Sequence, residues 1–186
     1  MKLGLNLALV LACSISMVSS AIMAEPVVFP KTEGRNLHGD MVRFPDAFTK
    51  AKFNVAIVAF EQEQQSTVDT WLDKLEGAVK ERSDFAYYEF PTIKPMGRMT
   101  RWLIYKGMRG GIKDPGARSR TVTFHLEKEP FKRALGINTE SDIHIFLLDR
   151  EGRLIWRDAG AWSASKWRDL SARMDVSRKA RRLEKK

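Results

Sequence analysis

Two rhythms run through the apolar positions of this chain, one of period two and one near 3.6. "FNVAIVAFE", residues 53–61, is an unbroken run of β-branched and aromatic residues and predicts a strand buried on both faces. A polar junction, "EQEQQST", follows at residues 61–67. Beyond it Val68, Trp71, Leu72, Leu75 and Val79 recur at helical spacing and predict an amphipathic helix. "DFAYYEF" predicts a second strand, stopped by Pro91, whose ring removes a ladder donor. "MGRMTRWLIYKGM" puts Met99, Trp102 and Leu103 on one face and predicts a second helix, ended by Gly107 or the glycines after it.

A loop is expected over "RGGIKDPGARSR", then a short strand "TVTFHL" and a helical turn "EPFKRALG". "DIHIFLLDREGRLIWRDAG" predicts a hairpin, with Gly152 supplying the positive φ of its tight turn. "SASKWRDLSARMDV" predicts a last helix capped by Ser163 or Ser165, with Trp167, Leu170 and Met174 facing inward. Ahead of all these, "NLHGDMVRFPDAF" predicts a short hairpin around Gly39-Asp40. Strands alternating with helices imply an α/β domain with a central sheet covered on both faces.

The first residues follow neither rhythm. Lys2, an apolar run softened by serines, and small residues ending at Ala24 match a secretory signal peptide over residues 1–24. Two alternatives stay open: lipidation at Cys13 within "VLAC", or retention as an anchor, since ~20 apolar residues suffice to span a bilayer. Residues 25–175 then form one domain, and residues 176–186 a basic tail. Cleavage makes the protein periplasmic or secreted.

Cysteine usage narrows the chemistry. The only cysteine of the 186 residues is Cys13, which excludes a catalytic thiol, a structural disulfide and a Cys-ligated zinc site from the domain. The formal net charge of +9 collects partly in "SRKARRLEKK". That run is a solvated helix end, or else a weak contact with an anionic membrane surface; nucleic acid is not an expected partner. His38, His125 and His144 are scattered with no ligand spacing, and no "GxSxG" elbow occurs. Glu61 and Glu63 are expected to be solvated, and Ser66 and Thr67 to open a helix. Trp71, Trp102 and Trp167 are assigned to inward faces, and Trp162 to a contact. No catalytic residue, metal site or cofactor is expected.

The order of elements, with "FLLDREGRLIWRDAG" and a final helix, resembles the thioredoxin superfamily over roughly residues 34–175. The resemblance implies a three-layer fold, a central mixed sheet with helices on both faces and a C-terminal hairpin plus helix. In those enzymes the first central strand runs into a reactive cysteine at a helix N-terminus, which favours thiolate. Here that place is held by Glu61–Thr67, and Ile143 stands where the family carries a cis-proline. The resemblance thus implies the scaffold without its thiol chemistry.

A narrower resemblance lies in "KGMRGGIKDPGARSRTVTFHLEKEPFKRALGI" followed by "IFLLDREGRLIW", which looks like the mitochondrial ATP synthase assembly factor family. It implies a chaperone-like, non-enzymatic role for a protein client, such as a membrane complex of the ATP synthase kind. It also makes Gly107, Met108, Arg109, Gly111, Ile112, Asp114, Arg118 and Arg120 the candidate partner-binding positions. Two roles are open for the arginines: a clamp for a partner's carboxylate or phosphate, or anchors that tie the loop down through Asp114. The mitochondrial factors work on the matrix side, so a cleaved signal peptide places this chain across the membrane from that client. The alternative function is a periplasmic oxidoreductase or antioxidant enzyme on the same fold with a non-thiol cofactor.

Overall fold

The computed structural model describes residues 26–183. The signal peptide expected over residues 1–24, with Cys13, lies outside the described residues, as do residues 184–186 of the basic tail. The strands are β1 (Thr32–Asn36), β2 (Met41–Phe44), β3 (Phe53–Ala59), β4 (Phe85–Ile93), β5 (Val122–His125), β6 (His144–Leu148) and β7 (Leu154–Ala159). The helices are α1 (Gln65–Glu81), α2 (Arg98–Gly111), α3 (Pro115–Arg120), α4 (Lys128–Leu135) and α5 (Ala164–Leu183). The sheet runs β2-β1-β5-β4-β3-β6-β7. β3, β4 and β5 are parallel, and β1, β2, β6 and β7 pair antiparallel around them.

Alternation along the strands sends side chains into two cores. Phe53, Val55, Ile57 and Tyr87 meet Trp71 and Leu75 of α1 and Leu170 and Met174 of α5. On the other face Phe29, Phe44, Phe48, Phe90, Phe124 and Phe131 form an aromatic cluster beneath α4. Each buried phenylalanine contributes roughly 1.5–3 kcal/mol, so this layer holds much of the stability. Trp71 adds a directional bond, its indole N–H donating to the Gly160 carbonyl at 3.0 Å. The hairpin at Gly152 forms as the sequence predicts, with φ of 77° there and Asp149 accepting from the backbone N–H of Glu151 and Arg153. Gly34 is needed for another reason: a side chain there would meet the Thr123 carbonyl at 2.6 Å, where β1 closes on β5.

Three expectations need correction. β4 does not stop at Pro91 but reaches Ile93. Pro91 sits opposite Ala59, the last residue of β3, and the strand then continues on its other edge with Thr92 and Ile93 opposite Phe124 and His125. A proline at the end of one ladder removes little. α2 ends at Gly111, one of the glycines expected to close it, but the loop expected over 109–120 is the end of α2, a link at 112–114 and the helix α3. The helical turn expected at 129–136 is present as the helix α4, closed by Gly136 in the left-handed region. Finally, Trp102 is not inward: it is exposed, with Met99 and Leu103 beside it. α5 continues into the basic tail as far as Leu183. No helix among the described residues is long and apolar enough to cross a membrane.

Candidate functional site

The place expected for redox cysteines lies where β3 gives way to a 3-10 turn, Gln62–Gln64, and then to α1. Gln64 is buried there. Its Oε1 accepts from the Phe60 N–H at 2.8 Å and the Glu61 N–H at 3.3 Å, and its Nε2 donates to the Glu140 carbonyl at 2.6 Å. Glu61 completes a capping box with the Gln64 backbone, so the first donors of this turn are satisfied within the chain.

Lys128, at the start of α4, closes the other side. Its buried ammonium donates to Glu140 Oε2 at 2.8 Å and to the Phe60 carbonyl at 3.5 Å, and lies 3.8 Å from Glu61. Lys132 takes the second Glu140 oxygen at 2.9 Å. Burial opposes the charge on Glu140, but the hydrogen bonds from Lys128 and Lys132 outweigh it and hold the carboxyl below its usual range. Three segments distant in sequence are thereby stitched together. Ser66 turns its hydroxyl back to the Glu63 carbonyl, and Ile143 is fully buried in the core. At this place the donors and acceptors of Gln64, Lys128, Lys132 and Glu140 are matched to one another.

The eight motif residues span α2, the link at 112–114 and α3; Ile112 is half-buried in the link, and the other seven divide into two groups. Arg118 donates through Nε to the Ile112 carbonyl at 2.6 Å and through a terminal nitrogen to the Arg109 carbonyl at 3.0 Å, so it caps the C-terminus of α2. Asp114 caps α3, accepting from the Ala117 N–H at 2.6 Å. Arg120 donates to the Tyr87 hydroxyl at 3.0 Å, lies over that ring, and stands 3.9 Å from Asp114 and 4.0 Å from Glu76. Met108 faces inward, its sulfur accepting from the Thr123 hydroxyl at 3.9 Å. The other group faces out: Gly107, Arg109 and Gly111 are exposed, and the glycines have open space where a side chain would be.

Below Arg120 sits the most perturbed carboxyl described. Glu89 is buried in β4, and burial pushes it up to about 7; Arg120 lowers it, while Asp69 and Glu76 raise it further. Burial likewise pushes Tyr87 up to about 12 against the pull of Arg120. Beside this region a groove of about 580 Å³ separates the β1–β2 hairpin from α2, with Arg35, Met41, Trp102, Tyr105 and His125 on its walls. The histidines do not converge: His38 meets the Pro115 carbonyl, His144 the Thr139 carbonyl, and His125 lines the groove.

Sequence reasoning missed Gln64, Lys128 and Glu140 as a unit, since each looks like an ordinary surface residue and their contacts are non-local. The one available signal was the glutamine-rich junction, which has capping chemistry. Glu89 was legible in principle, as a lone carboxyl at an inward position of an apolar strand.

No protein-family model matches the chain, and no curated protein matches it in sequence. Solved structures do. The exposed lipoprotein thioredoxin of Streptococcus pneumoniae is 14% identical, covers 77% of this chain and 99% of its own, and superposes with a TM-score of 0.51. BsSco, a member of the Sco family of cytochrome c oxidase assembly proteins, is 12% identical, covers 82% of this chain and 95% of its own, and gives 0.54. At such identities the likeness shows the fold: a thioredoxin-like α/β domain with a central mixed sheet flanked by helices. With one cysteine in the whole sequence, this chain has no pair to cycle between dithiol and disulfide.

Proposed function

We propose that, on a thioredoxin-like fold without a cysteine pair, this chain is a redox-inactive binding factor that assists assembly of a membrane protein complex at the bacterial envelope. One observation carries this reading: the place of the thiols is occupied by the Gln64–Lys128–Glu140 stitch, whose groups are all engaged with one another. A surface held that way can support a docking face. The Sco-family structure, described as an assembly protein, lends the fold a precedent for such work. The signal-like residues 1–24 favour the periplasm, and an ATP synthase sector is one client of the expected kind. Gly107, Arg109 and Gly111 are its candidate contacts, with the groove beside them.

A photo-crosslinking residue at Met41 in the groove, and another at Lys113 beyond α2, would test this in the native envelope. One membrane-complex subunit, recovered from both positions, is the expected outcome. No specific adduct at either position would refute the reading.

The alternative, a periplasmic oxidoreductase or antioxidant enzyme with a non-thiol cofactor, is favoured by the thioredoxin named among the similar structures and by the groove, which has room for a small ligand. A flavin or haem absorbance band in the purified protein would select it.

A further inference from the structure

Seven large apolar side chains stand exposed among the described residues, and three share one side of α2: Met99 at 83%, Trp102 at 57% and Leu103 at 64%. This helix has two unlike sides. Its inner side is fastened, with Tyr105 donating to the Leu37 carbonyl at 3.0 Å, Met108 against Thr123 and Arg118 capping the end. Its outer side carries Met99, Leu103 and Gly107 at successive steps of four, flanked by Trp102 and Lys106. The charge around it has one sign. From Lys94 to Lys113 the sequence holds Arg98, Arg101, Lys106 and Arg109 as well, and no acidic residue between Glu89 and Asp114.

We infer that the outer side of α2 lies on an anionic lipid bilayer, with Met99, Trp102 and Leu103 entering the headgroup boundary and Lys106 and Arg109 meeting lipid phosphates. An amphipathic helix of this composition binds in the plane of the interface, through apolar area and cationic attraction together. At ~21 Å for its 14 residues, it offers a face long enough to lie flat. Tryptophan favours the headgroup level, and Lys106, with its ammonium 5.0 Å from the Trp102 ring centre, has the reach to keep its charge in water above buried apolar neighbours. A specific protein partner is less well matched. The outer side carries its apolar side chains with Thr100, Lys106 and Arg109 around them, so it offers apolar depth and positive charge but no acidic group to pair with a partner's cation. A bilayer asks only for depth and charge. This site is distinct from the basic tail, and it does not depend on which client the protein serves.

The test is co-sedimentation of the chain from Glu25 to Lys186, without the apolar run of residues 1–24, with phosphatidylcholine vesicles, with and without phosphatidylglycerol. The wild type should bind only the anionic vesicles. Met99→Gln with Leu103→Gln, at positions already in water and so neutral for folding, should weaken binding at least ~10-fold. Changing Arg178, Lys179, Arg181 and Arg182 to Gln should leave most of the binding. Brominated lipid should quench part of the tryptophan fluorescence of the wild type, and Trp102→Phe, measured at lipid concentrations that saturate binding, should remove that part. The inference is overturned if the wild type ignores anionic vesicles, if the double variant binds as the wild type does, or if the tail variant alone abolishes binding. Protein capture through Met99 and Leu103 without vesicle binding would also overturn it, and would make this side a protein interface.

Discussion

Replacing Glu89 by Gln should make the protein more stable above neutral pH and leave it nearly unchanged in mild acid. The carboxyl is buried in β4 and is pushed up to about 7. The charged groups facing it are Arg120 from the end of α3 and Asp69 and Glu76 from α1, with Tyr87 on its own strand. An unfolded glutamate ionises near its ordinary value of 4.5. Between that pH and about 7 the folded state keeps a proton that the unfolded state has released, so the folded chain binds more protons. Stability therefore falls as pH rises through this window and is level above it. At 1.36 kcal/mol per unit, the shift corresponds to about 3 kcal/mol.

Glutamine has the same shape and stays neutral, so the variant escapes that loss. Urea unfolding of both proteins from pH 4.5 to 8.5, with equal m-values, isolates the term because every other carboxyl cancels in the difference. The stability difference should open from near zero in acid to about 3 kcal/mol at the alkaline end. In thermal melts this is about 6–12 °C for a domain of this size. A difference that stays flat across the range would refute the reasoning. It would mean that Glu89 is ionised in the fold and paired with Arg120.

Gln64→Ala should cost roughly 2–3 kcal/mol in urea unfolding, since it strips the acceptor from the Phe60 and Glu61 N–H groups and the donor from the Glu140 carbonyl; a cost under about 0.5 would show that the stitch does not hold this region. Arg118→Lys should lower stability by about 1 kcal/mol and admit protease near Gly111, because one ammonium cannot reproduce two bonds to the Ile112 and Arg109 carbonyls. Arg109→Lys, at an exposed position, should leave the melting temperature unchanged, and an equal drop in both would merge the two roles again. Gln62→Cys with Gln65→Cys should not reduce insulin disulfides at a thioredoxin-like rate, since Ile143, buried in the core, stands where the thioredoxin resemblance expects the substrate-presenting proline. Such a rate would refute that placement.

The strands and the main helices were legible because burial there follows the local period. Val68, Trp71 and Leu75 repeat at helical spacing and all three are buried, and the β6–β7 hairpin follows from Asp149, Gly152 and alternation. The same rule misjudged α2. Met99, Trp102 and Leu103 form as clean a stripe as that of α1, yet the half-buried Ile104, Tyr105 and Met108 take the inward positions. Periodicity shows that a helix has an apolar side; which side meets the sheet depends on contacts from distant segments, here Leu37 and Thr123. The region 109–120 misled for a related reason. Its glycines suggest a loop, and the helix persists because Arg118, nine residues beyond Arg109, satisfies its last carbonyls.

That arrangement bears on what the motif is for. A helix that carries Gly107, Gly110 and Gly111 gives up about 1 kcal/mol at each relative to alanine, and nothing within 4 Å of those positions needs the missing side chain. Exposed Met99, Trp102 and Leu103 gain little from the fold either, since more than half of each stays in water. Stability alone would favour alanines and polar residues at all six places. Against these costs stand Tyr105, Met108, Asp114, Arg118 and Arg120, whose bonds fix α2 and α3 on the sheet. Half of the segment spends its interactions holding the other half where water alone now meets it. Such a division is expected of a surface made to be covered, and the thiol place, with its donors and acceptors closed on one another, has no counterpart to it.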